Sequence, residues 1–504
     1  MQNKNERKQK CYKAHRRKIM SLVLAGALAA GTVFTGCGKQ NTDNTGTGED
    51  NIGYTAENSQ DASTADELSM AGGDSGTLQE RYKIPESCNT DIKVGDSGLK
   101  KITIEDDEIT TPNTGDMYIA HFKKKSVGNA ERKQVVESIF GQETQIYEVP
   151  DDKRTKEEVQ ADIDHIKELQ KKSGDGDGYY SSMISEYESE LKDSLDEYPA
   201  AGDYAASTFK GKVGDCAYTL YAADTEKDIL GWSYSMDNLL DYRPLEGAEG
   251  VYTLSLDDYI SYRTDDTNMT ENDINTCSIT QDKAEKIAGD FLAKAGVTDM
   301  MMKKASALCW VYYSSESKSG DMKVDIDGYI FTYGRTINSQ PVSVVNPGLA
   351  DNLSWDAESQ QQLDLAASVP IEECTVSVDA NGVISADWMD FLEEDGQQES
   401  AKLLTFDELL AKANEEIPAY YKKHPTRYNK IEFNDITLSY YLKQGADKDT
   451  FDYVPAWVIS EYTETNDYTT ALDPEQLVVL DATDGSVIDL LELSKAAGSF
   501  YSGE

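Results

Sequence analysis

The feature that most limits the fold is a degenerate internal repeat running from Thr280 to the end of the 504-residue chain. Its second copy is the clearer. Thr405 is placed to cap a helix, with Glu408 three residues on in the capping-box position. Phe406, Leu409, Leu410, Ala413, Ile417 and Tyr421 recur at helical spacing and make one apolar face. Pro418 is expected to distort the last turn. Ile436, Leu438, Tyr440 and Leu442 then alternate with Thr437, Ser439, Tyr441 and Lys443, as in a half-buried strand. Residues 454–459 form another apolar run, and 477–480 and 487–490 flank the turn Asp481-Ala482-Thr483-Asp484-Gly485. In the first copy Thr280 opens a helix with Ala284, Ile287, Ala288, Phe291, Leu292 and Ala295 on one side, stopped by Gly296. Strands are expected at 307–313 and 329–333. Residues 374–378 and 383–385 flank Asp379-Ala380-Asn381-Gly382, and Asn-Gly between apolar runs signals a hairpin. A polar, loop-like insertion over 340–370 makes this copy longer.

Upstream, strand-like runs occur at 99–104, 117–122, 204–209, 217–222 and 251–256. A helix is expected over 130–140. Two charged helical stretches, 154–172 and 179–195, are joined by Ser173-Gly174-Asp175-Gly176-Asp177-Gly178, which is loop chemistry. The order of strands, helices and strands predicts an α+β fold. The expected division is a leader over 1–36, a tether over 37–78, an α+β domain with a helical hairpin over 79–270, and helix-on-antiparallel-sheet modules over 278–390 and 403–492.

The leader carries eight basic residues, Lys4 to Lys18, then an apolar run over 19–34 and Phe34-Thr35-Gly36-Cys37. This is the build of a secretory signal peptide. Its end resembles the lipobox of bacterial lipoproteins, with Phe34 where Leu is usual. The resemblance implies acylation of Cys37 and anchoring on the outer face of the bacterial cytoplasmic membrane; two acyl chains on one Cys suffice for stable anchoring. The apolar run is shorter than the ~20 residues a spanning helix needs. Cleavage after Gly36 leaves 40 basic against 91 acidic residues, from 48 and 92 in the whole chain. That balance argues against nucleic acid as a partner. Gly, Thr, Asn, Ser, Asp and Glu dominate the tether, a composition that buries too little to order itself. A flexible chain of that length reaches roughly 35 Å. Besides Cys37, the exported chain has Cys88, Cys216, Cys277, Cys309 and Cys374, an odd set without metal spacing, whose disulfide state stays open. Cys309, in an apolar run, reads as a small buried hydrophobe.

The motifs Thr405-Phe406-Asp407-Glu408, Pro455-Ala456-Trp457 and Asp481–Gly485 resemble PepSY-type domains and the extracellular modules of YycH/YycI-type regulatory proteins. The first copy matches at its helix and at Asp379–Gly382. The N-terminal region more loosely resembles uncharacterised Gram-positive lipoproteins. The PepSY resemblance implies a helix on an antiparallel sheet, and a role in restraining peptidases or tuning envelope signalling rather than catalysis.

Catalytic motifs are absent from the sequence: no HExxH, GxSxG, Walker loop or dinucleotide fingerprint occurs. His121, His165 and His424 have no His or Cys partner three or four residues on. Asp175, Asp177 and Glu186 match part of a calcium-loop frame, but Tyr180 stands where the sharp turn needs Gly. Trp457 reads either as a recognition aromatic on an edge strand, an edge being what Pro455 favours, or as the core aromatic between sheet and helix. The expected function is a non-enzymatic binding or regulatory module. It would need no cofactor or metal, meet the membrane through its anchor and take an envelope protein as partner. Small-ligand binding is the alternative, and an envelope hydrolase the least supported reading.

Overall fold

The computed structural model describes residues 76–497, apart from 126–127, 151–152, 176–177, 223–230, 263–276, 298–299, 315–322, 346–353, 357–360, 364–371, 390–391, 427, 448 and 463–473. The leader, Cys37, Asp177 and nearly all of the tether lie outside the described residues. The chain is α+β, with helices laid on antiparallel sheets. Among the described residues, no helix is long and apolar enough to cross a membrane.

The larger sheet has ten strands among the described residues. Its main path runs Tyr147–Glu148, Thr208–Val213, Cys216–Ala222, Gly231–Met236, Gly382–Met389, Glu373–Asp379, Lys323–Ile337, Met300–Tyr313 and Gly250–Ser255, every neighbour antiparallel. The helix Gln281–Ala295 packs on one face through Ala284, Ala288, Leu292 and Ala295. Small side chains let it lie close, and Phe291 reaches Trp232 and Tyr234, ring centroids 5.9 and 5.3 Å away. The helix Asn129–Phe140 covers the same face, with Phe140 over Gly211, where a Cβ would come within 2.7 Å of the ring.

The second body is built on a six-stranded sheet around Thr450–Glu461. That strand pairs on one side with Asp435–Gln444 and on the other first with Tyr118–Lys124, then with Gln476–Asp481. A smaller sheet joins Cys88–Ile92 and Lys101–Asp106 to Lys430–Phe433, the last pair parallel. The helix Phe406–Lys423 opens with the predicted box: the Glu408 carboxylate accepts from the Thr405 N–H (2.9 Å) and hydroxyl (2.7 Å). It continues past Pro418, which is buried against Gly95. Residues 487–490, expected as a strand, make one bridge, Leu480 with Val487, before the helix Leu490–Ala497 begins.

The expected boundaries at 270 and 278 do not separate folded units. Lys101–Asp106 and Tyr118–Lys124 lie in sheets with residues 430–461, while strands between 147 and 255 lie in the large sheet with residues 300–389. The reason is burial: Ile102, Ile104 and Phe122 share one core with Phe406, Ile417 and Trp457. Both repeat copies keep the same order of a helix followed by serially paired antiparallel strands. Both also close on a buried turn Asp. Asp379 accepts from the Asn381 N–H and Asp481 from the Thr483 N–H, each at 2.8 Å.

A buried ion pair fixes the two bodies together. Arg335, in the large sheet, donates to Glu372, with Nη2–Oε1 at 2.9 Å. From the second body the Tyr453 hydroxyl donates to Glu372 (3.1 Å), and the Arg335 guanidinium stacks 4.9 Å from the Phe122 ring centroid. The Leu392 N–H also donates to Glu372 (3.2 Å). Such a pair costs much to desolvate, and several hydrogen bonds to the same carboxylate offset that cost.

Candidate ligand-binding face

Period-two alternation sends every second side chain of the large sheet away from its two helices. Cross-strand register lines these outward residues into rows. One row runs Thr208, Tyr221, Ser233, Asp387, Thr375, Thr332 and Lys304. The next runs Lys210, Thr219, Ser235, Ser385, Ser377, Ile330 and Ser306. Ile330 is the aliphatic exception, and it is buried in the same core cluster as the inward side chains. The inward partners in the same strands are Leu220, Trp232, Tyr234, Ala386, Trp388, Cys374, Val376 and Phe331, all in the core.

The ends of the rows are charged and already paired. Lys210 Nζ lies 2.8 Å from Glu158 on the helix Lys156–Ser173, and 3.4 Å from Asp237. Lys304 Nζ lies 2.7 Å from Asp257 on the helix Leu256–Tyr262. Helices therefore flank a floor of hydroxyls at both ends. Midway, Asp387 is half-buried; burial raises its carboxyl, while the Ser233 hydroxyl donating at 2.5 Å opposes that. At the margin Glu373 pairs across the strands with Gly334. Burial pushes Glu373 up to about 7, against the pull of the Lys303 charge. Lys303 lies over Gly334, and burial lowers its ammonium. Carboxyls raised by desolvation on a polar face are a physical mark of binding sites, though ion-pair networks share it.

Seven hydroxyls of these rows, on Thr208, Ser235, Ser306, Thr332, Thr375, Ser377 and Ser385, have no protein partner among the described residues. Thr375 and Ser377 are only 8% and 4% exposed. Buried polar side chains nearly always find partners, so hydroxyls left open on a sheet floor are suited to a ligand.

The residues singled out in the sequence lie elsewhere. Trp457 is 1% exposed, sits in a central strand between Leu438 and Leu480, and meets the Phe406 ring edge-on at 5.6 Å. It is not on a surface. Pro455 is not on an edge either: it pairs with Tyr440. Its missing donor falls where the opposite side changes partner, since pairing with Tyr118–Lys124 ends at Tyr453 and pairing with Gln476–Asp481 begins at Ala456. There the Pro455 carbonyl accepts from the Ala482 N–H (2.8 Å). Cys37 lies outside the described residues.

His121 Nδ1 is 2.7 Å from Asp452, and His424 Nε2 is 3.0 Å from Asp489; neither contact involves a hydroxyl or thiol. His165 is exposed. Asp175 accepts from the Tyr180 and Ser181 N–H groups (2.9 and 3.1 Å), capping the helix Tyr179–Glu190. Among the described residues no group of three or more His, Cys, Asp or Glu is placed to hold a metal ion. Cys88, Cys216, Cys277, Cys309 and Cys374 are free thiols. Burial pushes Cys309 up to about 12 and Cys374 well above the usual thiol range.

No protein-family model matches the chain, and no curated protein matches it. Among solved structures the chain is similar to an uncharacterized protein from Eubacterium rectale ATCC 33656, at 14% identity and a TM-score of 0.31, over 81% of this chain and 94% of that one.

Proposed function

We propose that this chain is an exported, lipid-anchored binding protein that presents the polar face of its large sheet to a component of the cell envelope and catalyses no reaction. The observation that carries the reading is the floor of hydroxyls around Asp387 that have no protein partner among the described residues. The leader and Cys37 support export and anchoring, and the polar tether gives the reach to present the face clear of the lipid. The matching element order and paired Asp turns support reading the two repeat copies as PepSY-like modules, with the regulatory role that resemblance implies.

A protein partner held by strand addition is the second reading. The strand Gly250–Ser255 ends the sheet path among the described residues, and Tyr252 and Tyr313 stand 40% and 43% exposed beside it. A photoreactive side chain at Ser385, compared with one at Thr253, separates the two in intact cells. Capture at 385 supports the face, and capture at 253 alone supports the edge. A Cys37→Ser variant should appear in the medium; retention on the membrane would contradict the anchor.

A further inference from the structure

We infer that the polar face binds a neutral glycan, an extended chain of sugars bearing hydroxyl and amide groups. This rests on the face being the binding surface and adds the chemistry of its ligand.

Charge selects the ligand class. The chain as a whole has a formal net charge of −44, yet the two rows carry one carboxylate, Asp387, and two lysines already paired with acids on the flanking helices. The face is a neutral patch on an acidic molecule. A basic peptide would be drawn to the rest of the surface and would find one half-buried carboxylate here, already accepting from the Ser233 hydroxyl. A polyanion would be repelled throughout. A neutral ligand with many donors and acceptors matches what remains.

Geometry selects an extended ligand. The hydroxyls of Ser235, Ser385, Ser377, Thr375, Thr332 and Ser306, without a protein partner among the described residues, span five adjacent strands, with Thr375 and Ser377 buried at the middle. Strands repeat every ~4.8 Å, close to the length of one pyranose unit, so a glycan lying across the strands meets a new rung with each ring. Hydroxyls donate and accept, as sugar hydroxyls do. Asp387 accepts from a sugar hydroxyl or amide, and Tyr221, 47% exposed on its row, offers an aromatic face at one end. A peptide lying across the strands has its own spacing of about 3.3 Å per residue, out of step with the rungs.

The test is calorimetric titration of the folded, tag-purified exported chain with a β-1,4-linked N-acetylglucosamine tetrasaccharide, beside a neutral Ser- and Thr-rich peptide. Saturable binding of the sugar is expected, little changed between low and moderate salt. Ser385→Arg should weaken it at least tenfold and Tyr221→Ala several-fold, while Lys286→Ala on the far side leaves it unchanged. Tyr221 is exposed enough that its replacement keeps the fold, so the test survives if Ser385→Arg misfolds. Absence of saturable sugar binding, binding indifferent to both face variants, or preference for the peptide overturns the inference. Capture of a protein from cells at position 385 together with no sugar binding removes the glycan and keeps the face; no capture and no sugar binding remove both.

Discussion

Removing the Glu372 carboxylate leaves the Arg335 guanidinium buried against Phe122 without its counter-charge. Glu372→Ala is therefore expected to cost ~3–5 kcal/mol, and an apolar pair, Arg335→Met with Glu372→Leu, to recover most of it. Urea unfolding of the three variants checks both. Trp457→Ala removes a core aromatic from the sheet–helix interface and should cost ~3–5 kcal/mol in the same assay. A loss under 1 kcal/mol would contradict its placement. Glu373 acts through pH. Its native carboxyl titrates near 7 and its unfolded one near the ordinary carboxylate value, so the native state binds the extra proton between them. Its contribution is full below pH ~4.5 and falls as pH rises towards 7. Glu373→Gln should flatten stability across that window, and an unchanged slope would show the carboxyl is not held protonated.

Helices and apolar alternation were the legible elements. The boxes at Thr405 and the run to Gly296 mark their helices because capping and apolar periodicity are local chemistry. The polar face was half legible. Ser233, Ser235, Ser385, Asp387, Thr375 and Ser377 each stand in an alternating strand, but only register shows that they share one surface, and register is set by partners far along the chain. Gly231–Met236 alternates in the same way, with Trp232, Tyr234 and Met236 inward and Ser233 and Ser235 outward. Pro455 misled because a proline normally marks an edge; a change of partner strand at one residue serves the same need for no donor, and no local pattern announces it.

Chain path is the property least visible in sequence. Among the described residues, buried apolar side chains from 78–124 and 392–493 share one core, joined by Ile337 and Val342, while most of those between 136 and 388 form another. The intervening body is inserted into the outer one, so deleting residues 76–125 should unfold the 403–492 region rather than spare it. Hydrogen exchange should show Tyr118–Lys124 opening with Thr450–Glu461, to which it is paired, and not with the nearby helix Asn129–Phe140. Exchange in step with that helix would contradict the paired core. The inserted body carries the polar face, and photo-crosslinking from Ser385 in intact cells reports what meets it there. Reproducible capture of an envelope component is expected, lost when Asp387→Arg fills the middle of the row; capture that is absent, or indifferent to that change, would overturn the binding role of the face.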